Sequence, residues 1–169
     1  MILKDQIQSW LDEYLSGTEY ELITLTVSAQ NDILVDVDRL AGVDVDFCAE
    51  LNHFLVEKLE NSDFCLQHPD FDYSLEVGSV SLTDPFKTKM QFEKNLGHDV
   101  EVMVEIKNEK LKTQNEKFHG QLVSVDEETF SIDSEEMVAV EGKKRKTKQI
   151  VTRTWRYDEP KYVRYDLKF

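Results

Sequence analysis

Asp36, Asp38, Asp44 and Asp46 place four carboxylates within eleven positions. Of all the residues in this chain, they come nearest to a metal-binding arrangement. A hard cation needs several oxygens that converge at fixed spacing. Asp36 and Asp38 alternate along a strand-like run and are expected at its solvent-facing end. Asp44 and Asp46 stand at a helix start, where capping and the helix dipole account for them. The histidines at 53, 68, 98 and 119 include no i, i+4 pair, and no Cys-x-x-Cys is present. No metal site and no cofactor are therefore expected. Cys48 and Cys65 carry no signature of a catalytic nucleophile, and two cysteines make no disulfide framework. Ser79 and Ser81 have no base implied beside them. Neither Gly-x-Ser-x-Gly nor a glycine-rich phosphate loop occurs. The chain is expected not to be an enzyme.

Binding chemistry is better represented. Lys143-Lys144-Arg145-Lys146-Thr147-Lys148 puts five bases in six residues, and Arg153, Arg156, Lys161 and Arg164 follow. Trp155, Tyr157, Tyr162 and Tyr165 are interleaved with them. Bases track phosphates and aromatic rings stack on unpaired nucleobases, so Lys143, Lys144, Arg145, Lys146, Lys148, Arg153 and Arg156 are candidate RNA contacts. The competing reading is a solubilising hairpin whose aromatic neighbours fill a core. The chain as a whole is acidic, with 34 acids and 20 bases in 169 residues and a net charge of −14. Residues 1–90 hold 5 bases and 18 acids, whereas residues 91–169 hold 15 and 16. So acidic a first half repels phosphate and attracts basic partners. Asp36, Asp38, Asp44 and Glu76 are its candidate contacts with a basic protein, and simple solubility is the alternative.

The elements that must carry these residues follow from periodicity. Leu3, Ile7, Trp10, Leu11, Tyr14 and Leu15 form one helical stripe that ends at Gly17. Glu21–Val27 and Ile33–Asp38 read as an antiparallel hairpin across turn residues 28–32. A helix capped by Asp44 or Asp46 carries Phe47, Cys48, Leu51, Phe54, Leu55 and Leu59. Cys65 is expected in a loop, and Tyr73–Val77 in a third strand. This gives an α+β module, α-β-β-α-β, with two helices on a three-stranded sheet. Pro85-Phe86 marks a boundary, so domains of 1–84 and 85–169 are expected. Beyond a short helix within Phe86–Gly97, strands are read near 100–104, 120–125, 129–132, 136–140, 150–157 and 162–165. Short strands at such spacing point to a small all-β barrel. No run approaches the roughly 20 apolar residues of a membrane-spanning helix, and the N-terminus lacks a signal-peptide layout. No membrane partner is expected.

Two stretches carry a family resemblance. Asp38-Arg39-Leu40-Ala41-Gly42 runs into the capped helix with Cys48-Ala49 near its start. Tyr73-Ser74-Leu75-Glu76-Val77-Gly78-Ser79 leads through a Ser-rich segment to Pro85-Phe86. Both resemble the bacterial ribosome maturation factor RimP family, as do the order of elements and the ending Tyr165-Asp166-Leu167-Lys168-Phe169. The linker departs from the family's Ser-Pro-Gly, having Ser79-Val80-Ser81 instead. The resemblance implies an SH3-like or Sm-like barrel after the α+β module. It implies a cytoplasmic, non-catalytic assembly factor that binds the free or immature small ribosomal subunit and aids its late maturation. The partners it implies are a basic small-subunit ribosomal protein and ribosomal RNA, engaged by a monomer. The alternative reading is a stand-alone Sm-like RNA-binding protein.

Overall fold

The apolar stripe near the N-terminus forms α1, Leu3–Leu15, with Ile7, Trp10, Leu11 and Leu15 buried on one face. The computed structural model describes residues 3–110, 112–142 and 144–167. Its contacts divide the chain into two units, Met1–Val80 and Ser81–Phe169. In the first unit, α1 ends as Gly17 takes a left-handed conformation (φ 78°), which costs a residue without a side chain little. The hairpin β1, Glu21–Val27, and β2, Asp32–Asp38, pairs antiparallel from Glu21↔Asp38 to Val27↔Ile33, with a bulge between Leu22 and Thr24. Asn31 (φ 63°) makes the tight turn.

Helix α2, Val45–Glu60, starts where the Asp44 carboxylate accepts a hydrogen bond from the Asp46 amide at 2.9 Å. It buries Leu51, Leu55 and Leu59 at i, i+4 and i+8. A further short helix, α3, Asp63–Gln67, is capped by Ser62 and contains Cys65, which the sequence placed in a loop. Its five residues are too few to show a helical period. Strand β3, Ser74–Ser79, then lies parallel to β2, which makes the sheet order β1-β2-β3. Helix α1 lies against β1 and α2 against β3. Ile33, Val35 and Val37 face these helices and form the core with Leu11, Leu51, Leu55 and Leu59. Thr24, Thr26, Asp32, Leu34, Asp36 and Glu76 alternate onto the other face of the sheet.

The second unit opens with α4, Lys89–Lys94, shorter than the expected segment: it begins after Thr88, whose amide donates to Gln91 Oε1 at 3.2 Å, and ends at Asn95, two residues before Gly97 (φ 86°) turns the chain into the sheet. There Gly97 N–H donates to the Leu122 carbonyl at 2.8 Å. Five strands follow: β4, Asp99–Lys107; β5, Thr113–Val125; β6, Thr129–Val138; β7, Thr147–Arg156; and β8, Tyr162–Tyr165. All pairings are antiparallel, in the order β7-β6-β5-β4-β8. Phe92, Val100, Val102, Leu122, Phe130, Ile132 and Val163 form the core, with Phe118, Trp155 and Tyr157 packed against it.

Of the expected small barrel the structure shows a five-stranded antiparallel sheet that is not closed: the outer strands β7 and β8 form no ladder with each other among the described residues. All four residues of β8 pair with β4, from Val100↔Tyr165 to Met103↔Tyr162. The segments read as separate strands at 129–132 and 136–140 are one strand, β6. The polar first half of β5, Thr113–His119, has no apolar alternation and was not expected to be a strand.

Gly120 is required by close approach. A Cβ there would lie 2.5 Å from the Asp133 carbonyl oxygen and 2.7 Å from Ser134 Oγ, while Ser134 Oγ donates to the His119 carbonyl. Gly120→Ala is expected to destabilise the second unit by about 1–3 kcal/mol. Gly78→Ala, where a Cβ meets nothing within 4 Å, should stay within about 0.5 kcal/mol. Urea unfolding of the two variants checks the contrast.

Candidate functional site

The acidic candidates of the first unit are divided by the fold. In the β2–β3 register Leu34 stands opposite Glu76 and Asp36 opposite Gly78, so Asp36 and Glu76 are diagonal neighbours on the open face of the sheet. Glu76 is exposed and Asp36 half-buried. Asp32, not singled out from the sequence, joins this face, its carboxylate accepting from Ser74 Oγ at 2.6 Å. The alternation Asp32-x-Leu34-x-Asp36 was the available signal. Asp44 is exposed but serves as the cap of α2, and its own amide donates to Tyr20 Oη at 2.9 Å.

Asp38 does not reach solvent, which corrects the expectation for it: it is 2% exposed. The end of β2 folds into a tight turn, where the Arg39 amide donates to Asp38 Oδ1 at 2.8 Å and Arg39 Nε donates to the Gly42 carbonyl at 2.7 Å. The Arg39 guanidinium lies 4.6 Å from the Tyr20 ring centroid, and Tyr20 stacks on Phe47 at 3.7 Å. The motif Asp38–Gly42 thus shapes the entry to α2. By unit the charge contrast is sharper than by halves, with 3 bases and 17 acids in residues 1–80 against 17 and 17 in residues 81–169.

The cationic candidates of the second unit are also sorted. Lys143 lies outside the described residues, as do Lys168 and Phe169 of the C-terminal motif. Lys144, Arg145 and Lys146 are exposed at the tip between β6 and β7. Lys148 Nζ sits 2.8 Å from Glu135 Oε2, and Arg156 Nε 3.6 Å from Asp158 Oδ1. Arg153 lies on the same side of β7 as Trp155, half-buried, with its guanidinium 4.7 Å from the Phe118 ring. It donates to both oxygens of Glu136, Nη2 to Oε2 at 3.1 Å, and this pairing holds the Glu136 carboxyl below the usual carboxylate range. The cationic surface is therefore concentrated at the tip and fades along the strand, where β6 supplies partners.

A second charged cluster was not anticipated from the sequence. Glu101 on β4 is 7% exposed and stands opposite His119 on β5 and Arg164 on β8. Arg164 Nε donates to Glu101 Oε2 at 2.6 Å, and Tyr162 Oη lies 3.3 Å from the same oxygen. Lys117 Nζ is 3.7 Å and His119 Nε2 3.9 Å from Oε1, and His119 Nδ1 is 3.2 Å from Asp166 Oδ2. Burial pushes the Glu101 carboxyl up. The Arg164 hydrogen bond, with the charges of Arg164, Lys117 and His119, outweighs it and holds the group below the usual range.

Such a carboxylate stabilises the fold in full above its unfolded value, about pH 4.3, and loses this contribution as pH falls through the lowered native value. Glu101→Gln is expected to lower the unfolding midpoint at about pH 7 and to lower it progressively less toward about pH 3. Midpoints of both proteins across that range test this. A deficit independent of pH would contradict it.

Among the described residues no group of three His, Cys, Asp or Glu could hold a metal ion, and no helix is long and apolar enough to cross a membrane. The two units define an architectural class: an acidic two-layer α/β unit followed by an antiparallel sheet that carries a cationic hairpin. The RimP N-terminal domain family matches residues 10–82, from the second half of α1 to just past β3. The chain is 32% identical over 146 residues to the ribosome maturation factor RimP of each of two strains of Porphyromonas gingivalis, covering 86% of this chain and 86% of each relative. It is 25% identical over 132 residues to the ribosome maturation factor RimP of Christiangramia forsetii, covering 78% of this chain and 76% of that one. The chain belongs to the ribosome maturation factor RimP family.

Proposed function

We propose that the protein is a cytoplasmic, non-catalytic assembly factor that binds the free or immature small ribosomal subunit and aids its late maturation. The observation that carries this reading is the 32% identity with ribosome maturation factors over 86% of the chain. The segregation of charge between the units supports the division of labour. The acidic first unit meets a basic small-subunit ribosomal protein with Asp32, Asp36, Asp44 and Glu76. Lys143, Lys144, Arg145 and Lys146 approach ribosomal RNA, with Lys148, Arg153 and Arg156 in secondary roles because acids already pair with them.

The mechanism is differential affinity. A ligand shifts a conformational equilibrium only by the difference in its binding to the two states. A tenfold preference for an intermediate subunit state stabilises that state by about 1.4 kcal/mol when the factor is in excess. The factor departs when maturation removes the preferred surface. Depletion tests the role: cells lacking the protein should accumulate immature small subunits, and an unchanged subunit profile would contradict it.

A further inference from the structure

The helical side of the first unit carries a groove of about 580 Å³ between α1, α2 and the start of α3. Its apolar part is aromatic, with Trp10, Phe54 and Phe64 among the lining residues. Trp10 is 9% exposed, and Phe64 is 37% exposed on a five-residue helix. The Phe64 ring is held in place by its neighbours, edge-on to Phe71 at 4.7 Å and stacked with His68 at 4.7 Å. That bracing lowers the ordering cost of using the ring as a wall for a ligand. Glu57 and Asp63 supply carboxylates at the groove. Lys58, one of three bases in residues 1–80, places its ammonium 5.6 Å from the Phe54 ring centroid, a position where the aromatic lining accepts a cation.

We infer that this groove is the docking site for a basic amphipathic helical segment of a partner protein. The apolar face of such a helix would meet Trp10, Phe54 and Phe64, while its lysines or arginines reach Glu57 and Asp63. Charge complementarity selects this occupant. With 17 acids against 3 bases, the unit repels nucleic acid and anionic lipid and favours a cationic chain. The aromatic lining requires that the cationic chain also present an apolar stripe, which a uniformly charged tail lacks. The inference goes beyond the proposed function by adding a contact on the helical side to the carboxylates of the sheet face, and it rests on that reading only for the partner's source.

The test uses the full chain, labelled with ¹⁵N, and three synthetic peptides: a Leu/Lys amphipathic helix, a scrambled peptide of the same composition, and a Leu/Glu helix. The expected result is saturable shifts at the Trp10 indole and the α1, α2 and α3 amides with the amphipathic basic peptide. The scrambled peptide should bind about tenfold more weakly, and the Leu/Glu helix should not bind. Phe64→Ser and Glu57→Lys should each weaken binding about tenfold or more, and Phe64→Leu should restore most of it. Unfolding midpoints of the variants separate lost binding from lost fold. Equal binding of the scrambled peptide, shifts confined to the sheet face with none at the groove, or no effect of the two variants would overturn the inference. So would a wild-type chain that self-associates through the groove and becomes monomeric on Phe64→Ser, since the occupant would then be a second copy. Because the peptides are synthetic, failure here leaves subunit binding untouched, and failure of subunit binding leaves this result standing.

Discussion

Leu55→Ala is expected to lower the unfolding free energy of the first unit by about 2–5 kcal/mol. Leu55 is fully buried on the face of α2 that meets the sheet, between Leu51 and Leu59, in the cluster with Leu11, Val35 and Val37. Truncation removes the transfer free energy of three carbons. It also leaves a cavity that the flanking helix and strand close only in part, because interiors are packed to crystal-like density. Domains of this size retain about 5–15 kcal/mol in total, so this one change consumes a large share. Leu66→Ala is the control, since Leu66 is 67% exposed and should change stability by less than about 0.5 kcal/mol. Urea titration followed by the indole NMR signal of Trp10, itself in the same core, reports the difference. Equal midpoints for the two variants would show that α2 does not close this core.

Reversing the tip, with Lys144, Arg145 and Lys146 each changed to Glu, is expected to weaken association with free small subunits about 10–100-fold at low salt. It should reduce the slope of log affinity against log salt by about 2. Three exposed charges that bind phosphate release three counterions, and their reversal adds repulsion. Lys148→Glu alone should do far less, because Glu135 already pairs with that lysine. Filter binding or sedimentation across a salt series measures both quantities. A triple variant with wild-type affinity and slope would remove the tip from the RNA interface. The fold should be indifferent to the change, since these residues are exposed and lie between strands.

Much of the first unit is legible in its sequence because its longer elements state their period, which the five residues of α3 are too few to do. Ile7, Trp10, Leu11 and Leu15 mark α1, Ile33, Val35 and Val37 mark the core face of β2, and Leu51, Leu55 and Leu59 mark α2. The cap at Asp44 is equally local. The remaining errors lie where the outcome depends on distant partners. Thr113–His119 has a single apolar residue, Phe118, and becomes a strand through pairing with β4, from Lys107↔Thr113 to Glu101↔His119. The open edge of the second sheet depends on where β8 adds, which no period encodes.

The site follows the same division. A basic run and an acidic half are compositional and visible at once. That Arg153 is committed to Glu136 and Lys148 to Glu135 depends on the β6–β7 alignment, in which Glu135 stands opposite Ile150 and Glu136 opposite Gln149. Asp38 looked like the last exposed acid of an alternating strand. It is buried at the end of β2, where the Arg39 amide donates to its carboxylate and the Arg39 and Gly42 hydrogen bonds close the turn that follows, a local geometry the alternation does not encode.

Sedimentation through sucrose gradients with free small subunits, with mature ribosomes and with neither, at low and moderate salt, tests the central claim most directly. The account predicts that the protein travels with free small subunits, stays behind with mature ribosomes, and dissociates progressively as salt rises. Absence from the small-subunit fraction at both salts, or equal association with mature ribosomes, would contradict it.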